Sequence, residues 1–300
     1  MRTAPTEVTF DSDGHALAGH LRVPAGAGGP RPGVVFTGPF TGVKEQVVGT
    51  YADRLTAAGL VTLTFDHRNF GASQGRPRQH EDPAGKLADL RDALSFLASR
   101  EEVDAGRLGC VGVCLGGGYA LRFAAFDPRV RVAAVVAGAY NDPRNMRDAM
   151  GADSYRRLLA GFADLAQREF DAGAPEYLPA VSADGSEAAM PGDEPFAYYG
   201  TERSASPGWD NRVTRRSIHA LLTTDLGGGA GFISPTPLLV VHGRGDDYCS
   251  PEGAQRVFEA ASDPKRLVWL DTGIHIDLYD NPAYVTPAVD EIVTWFDTYL

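Results

Sequence analysis

The sequence predicts an α/β fold: a mostly parallel central sheet, helices on both faces and a segment inserted late in the chain. Three observations carry this. From residue 33 onward, short runs rich in Val, Leu and Phe alternate with amphipathic stretches. Those runs are apolar throughout, as strands buried on both faces are. The alternation stops near residue 140 and resumes near residue 235, with a block of different composition between.

Each element has its own signal. Val8–Phe10 and Leu17–Val23 read as a hairpin closed by the turn sequence Asp11-Ser12-Asp13-Gly14. Residues 24–33 form a Pro- and Gly-rich connector. Gly33–Thr37 is a short buried strand, Val48–Ala58 a helix ended by Gly59, and Leu60–Phe65 a strand. Pro83–Ser99 is helical, with Leu87, Leu90, Leu94 and Leu97 at spacings of three and four. Arg107–Val113 is a strand, Leu115–Phe126 a helix stopped before Pro128, and Val130–Ala137 a further buried strand. In the last block, Pro237–His242 and Arg266–Leu270 are strands; Pro251–Ala261 and Pro282–Leu300 are helices. Residues 1–140 and 235–300 thus form one core.

Residues 141–234 are too long for a simple connection and too aromatic for a disordered linker. Asp153–Phe170 and Arg212–Leu222 read as helices. The stretch 171–211 is dense in Pro, Gly, Ser and acids, yet holds Tyr177, Phe196, Tyr198, Tyr199 and Trp209. Gly227–Gly231 reads as a flexible joint. The whole block is expected to cap the C-terminal edge of the sheet.

Composition excludes several functions. Hydrophobic residues are 43% of 300, enough for a substantial core. Acids outnumber bases 39 to 28, a formal charge of −11. No nucleic-acid partner is expected, because that surface needs a basic field. Cys110, Cys114 and Cys249 cannot all pair, which excludes a disulfide framework and suits a reducing compartment. Cys110-x3-Cys114 is followed by no second ligand pair, so no metal site is expected. No apolar run approaches the roughly 20 residues of a membrane span. The N-terminal segment lacks the apolar core of a leader. The expectation is a cytoplasmic protein with no membrane partner, its oligomeric state left open.

Two segments compete as the home of a nucleophile. Gly71-Ala72-Ser73-Gln74-Gly75 matches G-x-S-x-G, but that motif works only where a strand turns sharply into a helix. Ser73 lies in a polar loop followed by Arg76-Pro77-Arg78, so it reads as a loop residue. Gly112-Val113-Cys114-Leu115-Gly116-Gly117 has the required context, with an apolar strand leading in and an apolar helix leading out. Gly112 and Gly116 remove Cβ atoms that would collide in a tight turn. Cys114 then sits at a helix N-terminus, where the dipole favours thiolate. The Leu115 N–H can donate to an oxyanion. Cys110 reads as a buried strand residue and Cys249 as an incidental loop thiol.

A thiolate nucleophile calls for a histidine oriented by a carboxylate. For this kind of elbow the chain order is nucleophile, acid, base. His275, in the loop after strand Arg266–Leu270, is the expected base. His242 ends the preceding strand and reads as structural; His219 lies in the cap. The acid falls in the loop after His242, at Asp246 or Asp247, with Asp246 favoured by its spacing. In the loop after Thr37, Pro39 has no N–H, so Phe40 is the candidate for the second oxyanion donor. Asp66–Gly71 reads as a polar loop bracing the site.

The chain resembles the α/β-hydrolase superfamily, most of all its dienelactone-hydrolase-like branch with the YcjY-like bacterial proteins. Val43-Lys44-Glu45-Gln46, the Gly112–Gly118 elbow and His275-Ile276-Asp277-Leu278-Tyr279-Asp280 carry the resemblance. It covers nearly the whole chain, most weakly at 141–234. It implies an α/β-hydrolase fold and a nucleophile–His–Asp triad without cofactor or metal, with cysteine in place of the commoner serine, as in dienelactone hydrolases. Thr37-Gly38 departs from the superfamily's usual His-Gly start of the oxyanion loop.

The leading functional reading is hydrolysis of an activated acyl bond (thioester, lactone or ester) through an acyl-Cys114 intermediate. The substrate is a small acyl compound, free or carrier-bound, and the aromatic cap suits an apolar acyl group. The same triad behind a dry cap would make an acyltransferase or cyclase. C–C hydrolysis, or binding without catalysis, are further readings; the last predicts a missing triad member, and none is missing from the sequence.

Overall fold

In the computed structural model, residues 4–26 and 28–300 are described. Residues 1–3 of the segment read as lacking a leader, and residue 27 of the predicted connector, lie outside them. The hairpin is longer than its apolar runs. β1 (Thr6–Ser12) and β2 (His15–Arg22) pair antiparallel around Asp13 and Gly14, at φ 49° and 83°, the paired positive angles that a two-residue hairpin turn needs.

The alternation then follows the sequence closely. β3 (Arg31–Thr37), α1 (Val47–Ala57), β4 (Val61–Phe65), α2 (Pro83–Ala98), β5 (Val103–Val113), α3 (Leu115–Phe126) and β6 (Val130–Val136) succeed one another. β5 starts four residues before the predicted Arg107, where exposed residues 105–107 carry no apolar signal.

Residues 141–234 hold α4 (Pro143–Met150), α5 (Ala152–Ala172), β7 (Tyr177–Leu178), α6 (Asp193–Tyr199), β8 (Val213–Thr214) and α7 (Arg215–Thr223). α4 has no buried residue and spans only eight, with Met146, Ala149 and Met150 as its short apolar row; the Asp142 cap followed by Pro143 marks its start. α7 begins three residues later than predicted, because Val213 and Thr214 pair with Leu178 and Tyr177. The expected flexible joint at Gly227–Gly231 is corrected. Gly227–Phe232 is an ordered 3-10 turn seated on α3, so close that a Cβ on Gly229 would lie 2.9 Å from Arg122 Cα. Its glycines serve packing.

β9 (Leu238–Gly243), α8 (Pro251–Ala260), β10 (Lys265–Leu270), α9 (Asp277–Asp280) and α10 (Pro282–Tyr299) complete the chain. The eight-stranded sheet runs β1-β2-β4-β3-β5-β6-β9-β10. All pairings from β4 to β10 are parallel; β1 and β2 join antiparallel at one edge. β4 and β9 are buried along their whole length. Among the described residues, no helix is long and apolar enough to cross a membrane.

This strand order positions the site. From β3 the chain moves outward to β4, then returns to β5 on the other side of β3. The order reverses there, and the loops leaving the carboxyl ends of β3 and β5 diverge around a crevice. Thr37 pairs with Gly112, so both loops open at the same level.

Candidate active site

The turn after β5 is built around a strained cysteine. Cys114 has φ 56° and ψ −124°, conformations that a non-glycine residue holds only when its surroundings impose them. Three backbone hydrogen bonds do so. Its N–H donates to Val136 O (3.0 Å), and its carbonyl accepts from Gly117 N (2.8 Å) and Ala139 N (2.8 Å). A Cβ on Gly112 would fall 2.1 Å from Gly116 O, and one on Gly116 would fall 2.2 Å from Thr37 O. These glycines let β5, α3 and the loop after β3 meet. Cys114 is buried, with its side chain at the N-terminus of α3.

The loop after β9 turns Asp246 inward. Its Oδ1 accepts from Tyr248 N (3.0 Å) and Cys249 N (2.8 Å), and its Oδ2 from His275 Nδ1 (2.7 Å). Asp246 is fully buried, whereas Asp247 is exposed. His275 projects from the β10–α9 loop. With Nδ1 donating to the carboxylate, its Nε2 faces the sulfurs. Cys114 Sγ, Cys249 Sγ and a His275 ring nitrogen lie within 4.8 Å of one another. Cysteine and imidazole donors this close could hold a thiophilic cation. His242 donates to Cys249 O (2.7 Å) and holds the acid loop in place.

Cys249 is the principal correction. Expected to be incidental, it lies with Sγ 3.9 Å from both Cys114 Sγ and His275 Nε2. Asp246 accepts from the Cys249 N–H and so folds the loop back toward the elbow. The sequence carries no signal for this contact.

Electrostatics follows from the grouping. A hydrogen bond from Cys249 leads the effects that hold the Cys114 thiol well below its ordinary value; burial opposes it and the His275 charge reinforces it. Burial presses His275 down, but the Cys114 thiolate and the Asp246 carboxylate outweigh it and raise His275 to about 10. Both shifts favour a thiolate–imidazolium pair with the Asp246 carboxylate behind it.

The loop after β3 passes the elbow, and neither Phe40 nor Leu115 has a protein acceptor for its N–H among the described residues. The Asp66–Gly71 loop braces it. Asp66 accepts from Lys44 N (2.8 Å) and Lys44 Nζ (3.0 Å), and His67 Nε2 lies 3.0 Å from Thr37 Oγ1. Ser73 is buried away from solvent. Its Oγ donates to Asp66 O (2.5 Å) and accepts from Ala18 N (2.8 Å).

Sequence reasoning missed the aromatic walls. Tyr279, one helical turn past His275, places its hydroxyl 3.1 Å from His275 Nε2. Tyr199 is buried, and its hydroxyl has no hydrogen-bond partner among the described residues. Met190, Glu194 and Tyr199 of the inserted segment join Tyr248 and Tyr279 over Cys114, leaving a cavity of about 10 Å³. That is room for about one water molecule. Glu194 ties the segment down by accepting from Ile276 N (2.8 Å).

Comparison with known proteins agrees with the fold. Residues 42–281 match the family model described as serine aminopeptidase, S33. An uncharacterised protein of Pseudomonas aeruginosa, PA2218, is 32% identical over 98% of this chain and 80% of its own length. Its crystal structure matches with a TM-score of 0.90 at 30% identity, over 100% of this chain and 94% of that one. Polyketide transferase grgF of a Penicillium species is 30% identical over 91% of this chain and 90% of its own. The crystal structure of that α/β hydrolase matches with a TM-score of 0.81 at 25% identity, over 99% of each chain. Thiohydrolase aneE of Aspergillus aculeatus is 28% identical over 93% of this chain and 89% of its own.

Proposed function

The chain belongs to the serine aminopeptidase S33 family of α/β hydrolases, and from that premise we propose that it is a cysteine-dependent acyl hydrolase with Cys114, His275 and Asp246 as its triad. Its substrates are small activated acyl compounds: thioesters, lactones or activated esters. The observation that carries this reading is the 2.7 Å Asp246–His275 hydrogen bond beside a cysteine held at φ 56° on a strand-to-helix turn. The family's name specifies serine; here a cysteine stands on the elbow, and Ser73 is engaged in a distant loop.

The geometry supports the following reaction. Cys114 Sγ attacks the acyl carbon, and the carbonyl electrons move to oxygen. The N–H groups of Leu115 and Phe40 receive that oxyanion. As it collapses, the leaving group departs with the proton from the His275 imidazolium. Neutral His275 then takes a proton from water as it attacks the acyl-cysteine. Collapse releases the acid and the thiolate, and the ion pair is restored. Asp246 holds the His275 tautomer throughout. Residues 141–234 act as a cap that shapes the acyl pocket.

A thiolate is itself a good leaving group, so its adduct with a plain alkyl ester tends to revert. Activated acyl substrates should therefore exceed matched alkyl esters in kcat/KM by about a hundredfold, or roughly 2.7 kcal/mol. The test combines intact-mass detection of an acyl adduct across a panel of thioesters, lactones and esters with kinetics on an acyl-matched pair. An adduct mapped to Cys114 and the stated preference are expected. Turnover without a Cys114 adduct, or equal rates on the pair, overturns the reading.

A second reading keeps the intermediate and replaces water by an alcohol or amine. Similarity to a polyketide transferase favours it. Product partitioning between water and added acceptors separates the two.

A further inference from the structure

Cys249 forms no bond to substrate in the acyl chemistry, yet its sulfur is buried 3.9 Å from the nucleophile's. We propose that Cys114 and Cys249 form a reversible disulfide when the protein meets a peroxide, which removes the nucleophile from use and shields it from further oxidation. The inference goes beyond the acyl reading and needs only that Cys114 be a reactive thiolate.

Geometry favours the pairing. A disulfide needs its sulfurs about 2.05 Å apart, so they must close by roughly 2 Å. Cys114 is pinned by its backbone bonds, and Cys249, at the end of the loop before α8, is held by its N–H to Asp246 and its carbonyl to His242, so the closure falls to the Cys249 side chain. Rotation of its side chain, with small loop adjustment, covers the gap. The cavity over Cys114 admits a water-sized molecule. Hydrogen peroxide, with two heavy atoms, needs less opening of the cap than bulkier oxidants or alkylating agents do. Cys110, by contrast, lies fully buried in β5, where burial pushes its thiol up.

The chemistry balances with peroxide as oxidant. The Cys114 thiolate attacks one peroxide oxygen and the O–O bond breaks. Cys114 sulfenic acid forms, and the departing hydroxide takes the His275 proton to become water. Neutral His275, 3.9 Å from Cys249 Sγ, then accepts the Cys249 proton. The Cys249 sulfur attacks Cys114 and expels hydroxide, which takes that proton as a second water. Two thiols and one peroxide give one disulfide and two waters, the two electrons passing from sulfur to oxygen. An external dithiol reverses the step by exchange.

The test uses the reduced wild-type protein in chelator-containing buffer. It is exposed to equimolar hydrogen peroxide, unfolded in N-ethylmaleimide, and examined by intact mass and non-reducing peptide mapping. The expected result is a mass loss of about 2 Da before alkylation, for the two thiol hydrogens. A cross-linked peptide should contain Cys114 and Cys249, with Cys110 alkylated. Activity should fall with the cross-link and return with dithiothreitol. In Cys249→Ala, excess peroxide should add about 16 and then about 32 Da at Cys114, with no full recovery, whereas wild type treated with the same excess should recover. The proposal is overturned if wild-type Cys114 gains oxygen while Cys249 stays free, if peroxide leaves both thiols unchanged, or if Cys249→Ala recovers as fully as wild type. A cross-link in a protein without acyl turnover would support this inference and remove the acyl reading.

Discussion

Two residues carry opposite lessons about reading a motif. Ser73 sits in a literal G-x-S-x-G, but its hydroxyl is committed to Asp66 O and Ala18 N. Ser73→Ala is expected to leave turnover nearly unchanged and to cost about 1–2 kcal/mol in a denaturant melt, for an orphaned buried amide. A loss of activity beyond about tenfold with the fold intact would make Ser73 the nucleophile. Cys114 matches no serine pattern, yet its environment sets its charge. Its thiol is held well below the ordinary value while His275 is raised to about 10. The sign follows directly. As pH falls through the Cys114 value the thiolate is protonated, and both alkylation and turnover decline. As pH rises through about 10, His275 loses its proton and turnover declines, while alkylation persists because the thiolate remains. Rate profiles with iodoacetamide and with substrate measure both limbs. An alkylation midpoint at the ordinary thiol value of about 8.5 would refute the ion pair.

At the level of elements, the elbow depends on close approach. A methyl on Gly112 would sit 2.1 Å from Gly116 O, against backbone that has no free direction of retreat. Gly112→Ala should destabilise the protein by about 3 kcal/mol or more and abolish Cys114 labelling selectivity. Gly161, in the interior of α5, is the contrast. Nothing lies within 4 Å of its added methyl, and its conformation is helical. Gly161→Ala should stabilise by about 0.5–1 kcal/mol, through reduced freedom of the unfolded chain. Urea melts of the two variants decide it. A similar response in both would mean that the elbow relaxes as freely as an exposed helix.

For the whole molecule, the question is how a substrate reaches a site with room for one water. The inserted segment is fastened by Glu194 to Ile276 N (2.8 Å), by Arg203 to Asp280 (2.8 and 2.5 Å), and by Gln46 to Ser204 O (3.1 Å). Entry of anything larger requires these to part. Arg203 and Asp280 are each about a third exposed, so their pair is worth no more than about 1 kcal/mol. Arg203→Ala should therefore speed labelling of Cys114 by a bulky maleimide by up to about fivefold. Labelling by a small reagent should change less. Equal rates in variant and wild type would place the entrance elsewhere.

What could be read from the sequence was what lies close along it. The alternation of buried strands and amphipathic helices follows from local periodicity. The elbow is written in the six residues Gly112–Gly117, because a sharp turn must remove its own Cβ atoms. Asp246 and His275 could be named because each lies just past a strand end, and parallel strands bring such loops to one edge. The inserted segment was less legible. α4 and the residues around α6 are too polar or too short to show a period. The glycines at 227–231 signalled looseness, but they serve packing against α3. Only the tertiary structure decided that Cys249, 135 residues from Cys114 along the chain, faces it at 3.9 Å. It likewise decided that Tyr199 and Tyr279 wall the cavity. A contact between distant loops leaves no pattern in either one, since it arises from where the sheet delivers their ends.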